Sequence, residues 1–393
     1  MKGTGAEVLV RYLESEGVKY VFGLPGGHLL PFYDAVHESG ITAILTKHEA
    51  GAAYMAAGLT LAGGGLGVCC GTVGPGATNL VSGVAAAYMA SLPMLVLTAQ
   101  VGTSAIGRGA LQEAAGEGRT FSQTRLLSTV TKHSTMVTHS SKVGESLRRA
   151  LRIAWSGRPG PVHLDLPADT QRGEAQDDIQ APDRYHPVLS TCPAEADLER
   201  AAGLLLASRK PGILVGAGGR KGRVPALVLR LAGLLAAPVA TTLLGRGVIP
   251  EDHELALGCL GLYGTRAANS YMRSGLDVLL VIGSSLHEFT THVWDPALQP
   301  TEGLIQIDID PEEMGKNYPV DVALLGDAEG VLQALVETTE RAKTGERHPA
   351  DDFAVLWSQA TPEAFDTVLE AYAGTRHERP DRALEMRARL AGE

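Results

Sequence analysis

Three short turns hold the residues whose types and spacing could do chemistry. Lys47-His48-Glu49 follows the apolar run Ile41–Leu45 and opens an alanine-rich helical pattern, His48–Ala62. A carboxylate so placed stands at a helix N-terminus and at the carboxyl end of a strand, the edge where open α/β sheets take up ligands. Glu49 could meet such a ligand, or it could do no more than complement the helix dipole. Gly74-Pro75-Gly76-Ala77-Thr78-Asn79 follows the run Leu66–Gly71 and opens the helical stretch Ala77–Ala90. That turn could admit a ligand or cradle an anion, although a tight turn alone accounts for its glycines. Gly216-Ala217-Gly218-Gly219 follows Pro211–Val215 and matches part of a dinucleotide fingerprint. Lys221 stands where its last glycine belongs, and no acidic residue ends the next strand, Pro238–Thr241, so a plain turn is expected.

Other chemistries find no support. The 12 histidines form no HExxH or paired-ligand spacing, and the chain lacks GxSxG, Walker A and CxxC patterns. His163, inside the run Pro161–Leu166, reads as a core histidine. No metal site is expected in this chain. The 4 cysteines are too few for a disulfide framework, so a reduced, cytoplasmic setting is expected. Lys and Arg number 34 against 44 Asp and Glu, a net charge of −10 without a basic run, which disfavours nucleic acid as a partner. Hydrophobic residues make up 45%, a globular proportion. Apolar runs such as Leu92–Ala99 fall short of the ~20 residues a membrane span needs, and the opening residues show no signal-peptide pattern.

The elements that must position these turns follow a strand–helix rhythm. Thr4-Gly-Ala-Glu7 is a capping box that starts a helix ending at Gly17. Lys19–Phe22 reads as a strand, His28–Glu38 as a helix, Ile41–Leu45 as a buried strand and Pro93–Ala99 as a very apolar one. The Gly102–Gln123 stretch breaks the rhythm and reads as a functional or mobile loop. A helix over Lys142–Ser156 and a strand over Pro161–Leu166 resume it. Fully apolar strands in this order predict parallel sheets covered on both faces. At 393 residues, and ~150 per domain, the chain has room for two or three domains. We read residues 1–170 as a first α/β domain and the polar, proline-bearing 171–193 as a linker. Residues 194–345 form a second, Rossmann-like domain, with a helix over Ala328–Lys343. Residues 346–393 read as a C-terminal helical arm. The fold class is α/β, with two doubly wound, mainly parallel sheets.

The succession of motifs is more specific than any one of them. FGLPGG (Phe22–Gly27), KHEAGAAYMAAG (Lys47–Gly58) and GPGATNLVSGVAAAYMASLPML (Gly74–Leu95) come first. LQE (Leu111–Glu113), TKH (Thr131–His133) and GRPGPVHLDLP (Gly157–Pro167) follow. This order, continued through Thr241–Asn269 and Ile305–Asn317, resembles the acetolactate synthase group of thiamine-diphosphate enzymes. The resemblance implies a pyrimidine-binding domain followed by a central domain. It makes Glu49 the carboxylate that meets pyrimidine N1′ of thiamine diphosphate and helps shift the ring between tautomers. Gly23, Pro25, Gly26, Gly74, Pro75, Gly76 and Asn79 would shape the pocket beside it. Gln112 matches a substrate-facing glutamine and Lys132 a lysine near the active-site entrance.

The family's third domain holds the diphosphate through Mg²⁺, with a GDG motif and a downstream Asn, and residues 340–393 show neither. The resemblance therefore implies a separate subunit carrying that domain, in a heterotetramer with two of each, or else a fragment of a longer chain. The substrate would be a small 2-oxo acid, for carboligation or decarboxylation. Two departures matter. Leu111 replaces the phenylalanine usual before the glutamine. Ser284-Ser285-Leu286-His287-Glu288-Phe289 replaces a flavin-contacting segment and removes both its arginines, so no stoichiometric FAD is expected, although Arg158 and residues 258–269 are kept. The rivals are a subunit that keeps the fold only, which would have no need of Glu49 and Gln112, and an oxidoreductase using Gly216–Gly219.

Overall fold

A computed structural model describes residues 2–63, 65–186 and 191–343. The chain divides into two compact units, Met1–Val188 and Leu189–Glu393. The expected helical arm, 346–393, lies outside the described residues.

In the first unit β1 (Lys2–Thr4) leads into α1 (Gly5–Ser15), then β2 (Tyr20–Gly23), α2 (Leu30–His37), β3 (Thr42–Leu45) and α3 (Glu49–Leu61). Next come β4 (Gly67–Gly71), α4 (Pro75–Met89), β5 (Met94–Gln100), α5 (Gln123–Ser128), β6 (His133–Met136) and α6 (Val143–Trp155). The unit closes with β7 (Pro161–Pro167), α7 (Ala168–Arg172) and β8 (Glu174–Gln176). The expected capping box starts α1: the Thr4 hydroxyl accepts from Glu7 N at 3.3 Å, and Thr4 N donates to the Glu7 carboxylate at 2.7 Å. Six parallel strands run in the order β3-β2-β4-β5-β7-β6. Residues of α1, α2 and α6 join one apolar core, those of α3 and α4 another, so helices cover both faces. The α3–α4 contact is close because its residues are small: a methyl group added at Gly83 would come within 2.5 Å of the Ala53 Cβ.

The second unit contains α8 (Glu195–Ala207), β9 (Pro211–Val215), α9 (Val224–Leu235), β10 (Val239–Thr241) and β11 (Ala256–Cys259). It continues through α10 (Arg266–Met272), β12 (Val278–Ile282), β13 (Gly303–Asp308), β14 (Val322–Leu325) and α11 (Ala328–Lys343). Its sheet is parallel, ordered β11-β10-β9-β12-β13-β14. Helices α8, α9 and α11 build the core on one face, and α10 with the adjoining loops fills the other.

Two expectations change. The strand at Ile41–Leu45 is not buried along its length. It is the sheet edge, and Leu45 is 72% exposed. The segment 171–193, read as a linker, is structured through residue 186. Its strand β8 pairs antiparallel with β1, and Ala175 and Tyr185 are buried in the first core. Arg148 holds Asp177 at 2.9 Å and His186 meets Glu16 at 2.9 Å. Polar composition suggested a tether, but the ladder and these pairs satisfy the polar groups locally.

Candidate active site

The first sheet's strand order reverses between β2 and β4, and crevices for ligands form at such a point beyond the carboxyl ends of strands. The residues there come from three loops. After β2, Gly23 lies so close to β4 that an added Cβ would sit 2.4 Å from the Cys70 sulfur, and one at Gly26 would meet the Thr72 side chain at 2.5 Å. Pro25, between them, is exposed. After β3, His48 caps α3 by accepting from Ala50 N through Nδ1 at 3.1 Å, and Glu49 follows as the first helical residue. After β4, Gly74 takes φ +69° and ψ −109°, a conformation that favours glycine, and Pro75 starts α4.

These loops bring Glu49, Asn79 and Gly76 together. The Asn79 side-chain amide donates to Glu49 Oε2 at 2.9 Å. A Cβ at Gly76 would lie 3.5 Å from Glu49 Oε1 and 2.9 Å from Thr72 Cγ2. Glycine therefore keeps the space before the second carboxylate oxygen open. The Thr72 hydroxyl is buried and has no hydrogen-bond partner among the described residues. A half-buried carboxylate with one oxygen free, in a crevice lined by glycine and the Thr72 methyl, suits a flat heterocycle with a polar edge.

Gln112 reaches the same edge. It adopts φ +62°, and its carbonyl would stand 2.9 Å from a Cβ on Gly74. Its side chain and that of Leu111 are exposed. The loop is pinned by Glu113, whose buried carboxylate accepts from the backbone N–H groups of Gly107, Gly109 and Ala110 at 2.5, 3.0 and 3.2 Å. Lys132 is not brought here. It precedes β6 at the amino edge of the sheet, and its ammonium donates to the carbonyls of Ile153 and Ser156 at the end of α6. The parallel strands place that edge opposite the Glu49 crevice.

Beneath the loops lies a polar network that the sequence did not announce. Gly74 N donates to Gln123 Oε1 at 3.1 Å, and Gln123 Nε2 donates to Asp165 Oδ1 at 2.6 Å. Thr98 joins Asp165 at 2.9 Å to His163 Nε2 at 2.7 Å, while His163 Nδ1 meets Ser134 at 2.7 Å. Burial pushes the Asp165 carboxyl up to about 7, against the pull of its hydrogen bonds, and holds the His163 imidazole down to about 3. His163 is thus the core histidine its strand suggested. The one legible signal of the rest was an aspartate inside an otherwise apolar strand.

In the second unit the glycine turn has a structural cause. At the corresponding reversal, between β9 and β12, a Cβ on Gly216 would come within 2.2 Å of the Gly283 carbonyl oxygen, so two backbones touch there. Among the described residues no helix is long and apolar enough to cross a membrane.

Two doubly wound units, the first with an acid-bearing crevice at its switch point, define an α/β protein built in the manner of cofactor-binding folds. Residues 3–118 match the thiamine pyrophosphate enzyme N-terminal TPP binding domain, and residues 198–335 match the thiamine pyrophosphate enzyme central domain. The chain belongs to this family. It is 43% identical over 348 residues to a probable acetolactate synthase large subunit of Methanocaldococcus jannaschii, covering 84% of this chain and 55% of that protein. It is 39% identical over 346 residues to the acetolactate synthase large subunit of Corynebacterium glutamicum (86% and 53%). With the acetolactate synthase isozyme 3 large subunit of Escherichia coli it shares 37% over 362 residues (91% and 61%). The chain thus spans somewhat more than half the length of these relatives.

Proposed function

We propose that this chain supplies the pyrimidine-side half of a thiamine-diphosphate-dependent carboligase or decarboxylase acting on a small 2-oxo acid. The observation that supports it is the Glu49 carboxylate. One oxygen is held by Asn79, and the other faces the space kept by Gly76. Thiamine diphosphate, when bound, supplies a nucleophilic carbon that a 2-oxo acid can add to. The residues of this chain would hold its pyrimidine: Glu49 keeps or yields a proton at N1′, Asn79 fixes the carboxylate's rotamer, and the Gly23–Gly26 and Gly74–Gly76 turns let the ring approach. Gln112, on the loop pinned by Glu113, would face the substrate.

The diphosphate and its Mg²⁺ would be held by a domain with GDG and a downstream Asn, carried either by a partner subunit in a heterotetramer or by a longer form of this chain. The relatives, being roughly half again as long, have room for such a domain in one chain. The test is Glu49→Gln, assayed with that domain supplied. Removing general acid–base help costs on the order of 10²- to 10⁴-fold in turnover. Thermal melting should not change. Near-wild-type activity of the variant would end the assignment. The central domain would hold no stoichiometric flavin, because Leu286, His287 and Glu288 stand in place of the arginine-bearing segment. An absorbance spectrum of the purified protein should show no band near ~450 nm at one per chain.

A further inference from the structure

We propose that a cleft on the α6 face of the first unit, lined by Arg148, Arg149, Arg152, Gln180, Arg184 and Tyr185, binds an organic polyphosphate. The cleft encloses about 400 Å³, within the range of small-molecule sites. One wall is a helical stripe: Glu145, Arg148, Arg149 and Arg152 stand at i, i+3, i+4 and i+7. The other wall comes from the chain just after β8. This is a basic concavity in a protein with a net charge of −10.

Clustering, together with the shortage of carboxylates, sets these arginines apart: four of them line one cavity. Arg149, Arg152 and Arg184 form no ion pair with a described residue. All three are exposed, and like charges at helical spacing repel one another modestly, so a bound anion that met them together would relieve that repulsion. Glu145, the sole carboxylate in the lining, is already engaged by Lys142 at 2.7 Å. Arg148 is fixed in advance. It is bonded to Asp177 at 2.9 Å and to the Tyr12 hydroxyl, with its guanidinium carbon 5.3 Å from the Tyr12 ring centre. The Tyr185 ring below is held edge-on to Tyr12 at 6.1 Å.

Guanidinium forks match phosphate oxygens two at a time. An excess of three positive charges calls for a ligand with three or more negative ones, and the volume exceeds what one inorganic phosphate fills. A di- or triphosphate ester satisfies both conditions. The cleft lies in the opposite helical layer from Glu49, so it is independent of the cofactor crevice.

Calorimetry on the full chain at physiological ionic strength tests this with ATP, inorganic triphosphate, adenosine and citrate as probes. ATP and triphosphate should bind one per chain, and adenosine should not bind. Citrate should bind at least about tenfold more weakly. Arg149→Ser with Arg152→Ser should weaken triphosphate binding at least about tenfold without moving the melting temperature. The paired Lys substitutions should restore part of it, since charge returns without the fork. Glu49→Gln should leave it unchanged. Equal binding by the double Ser variant, or citrate as tight as triphosphate, would overturn the proposal. So would dependence on Glu49, or capture of an acidic peptide with no affinity for either phosphate.

Discussion

Asp165 and His163 illustrate how much a single proton can decide. Ser134 Oγ donates to the Thr124 carbonyl at 2.7 Å, so it accepts from His163 Nδ1. His163 Nε2 is then left to accept from Thr98, whose oxygen accepts in turn from Gln123 Nε2 at 3.2 Å. This order of donors agrees with a neutral imidazole, lowered to about 3, while burial raises the Asp165 carboxyl to about 7 against the hydrogen bonds it accepts. The signs oppose each other. Asp165, raised on folding, contributes stability that is complete below the ordinary carboxylate range and is lost as pH rises toward about 7. His163, lowered on folding, contributes stability that is complete above the ordinary imidazole value and is lost as pH falls toward about 3. Asp165→Asn keeps a donor and an acceptor but abolishes the first titration. Urea midpoints of the variant should hold or rise relative to wild type above neutrality, and should fall more steeply on acidification. A variant that tracks wild type at every pH would show that Asp165 is ionised in the folded protein. Gln123 joins this pair to Gly74, so the residue beneath the crevice and the turn that shapes it share one network.

Among the elements, α3 and α4 form the contact on which the crevice depends, since Glu49 starts one and Asn79 lies in the first turns of the other. Gly83→Val would drive a branched side chain into the Ala53 Cβ and the Tyr54 backbone. Overpacking of this kind costs about 1–3 kcal/mol, which urea unfolding should report. The Asn79–Glu49 bond should lengthen as the helices part, so activity should fall by more than stability alone explains. Much of this layer was legible, because apolar strands and capped helices speak through composition and period. The Thr4–Glu7 box, the turns after β2 and β4, and the start of α3 all stand where the sequence put them. Other parts were silent. Strands β1 and β8 are three residues long, too short for any period, and their pairing joins residues at opposite ends of the unit. Strands β11 and β14 lie among glycines and turns. Thr72, Gln123 and Asp165 gather only because the sheet order sets distant strands side by side. Lys132 was placed by motif alone, and the strand direction carries it to the other edge.

Considered whole, the molecule is two separately cored units, each with a parallel sheet between helical layers. Residues 1–188 contain a complete strand order and both of their cores, so that segment, expressed alone, should give a single cooperative melt by circular dichroism. A gradual, non-cooperative loss of signal would contradict it. The pairing of β1 with β8 adds a mechanical consequence. Lys2 faces Gln176 and Thr4 faces Glu174, so the chain enters and leaves the unit at the same end of the ladder. A pull between the two ends would first peel Tyr185 and His186 from Glu16, then part Arg148 from Asp177. The ladder would next open bond by bond, as a zip does, rather than shear as a block. A unit fastened in this way yields to small forces at its ends while the parallel sheet behind them stays unloaded.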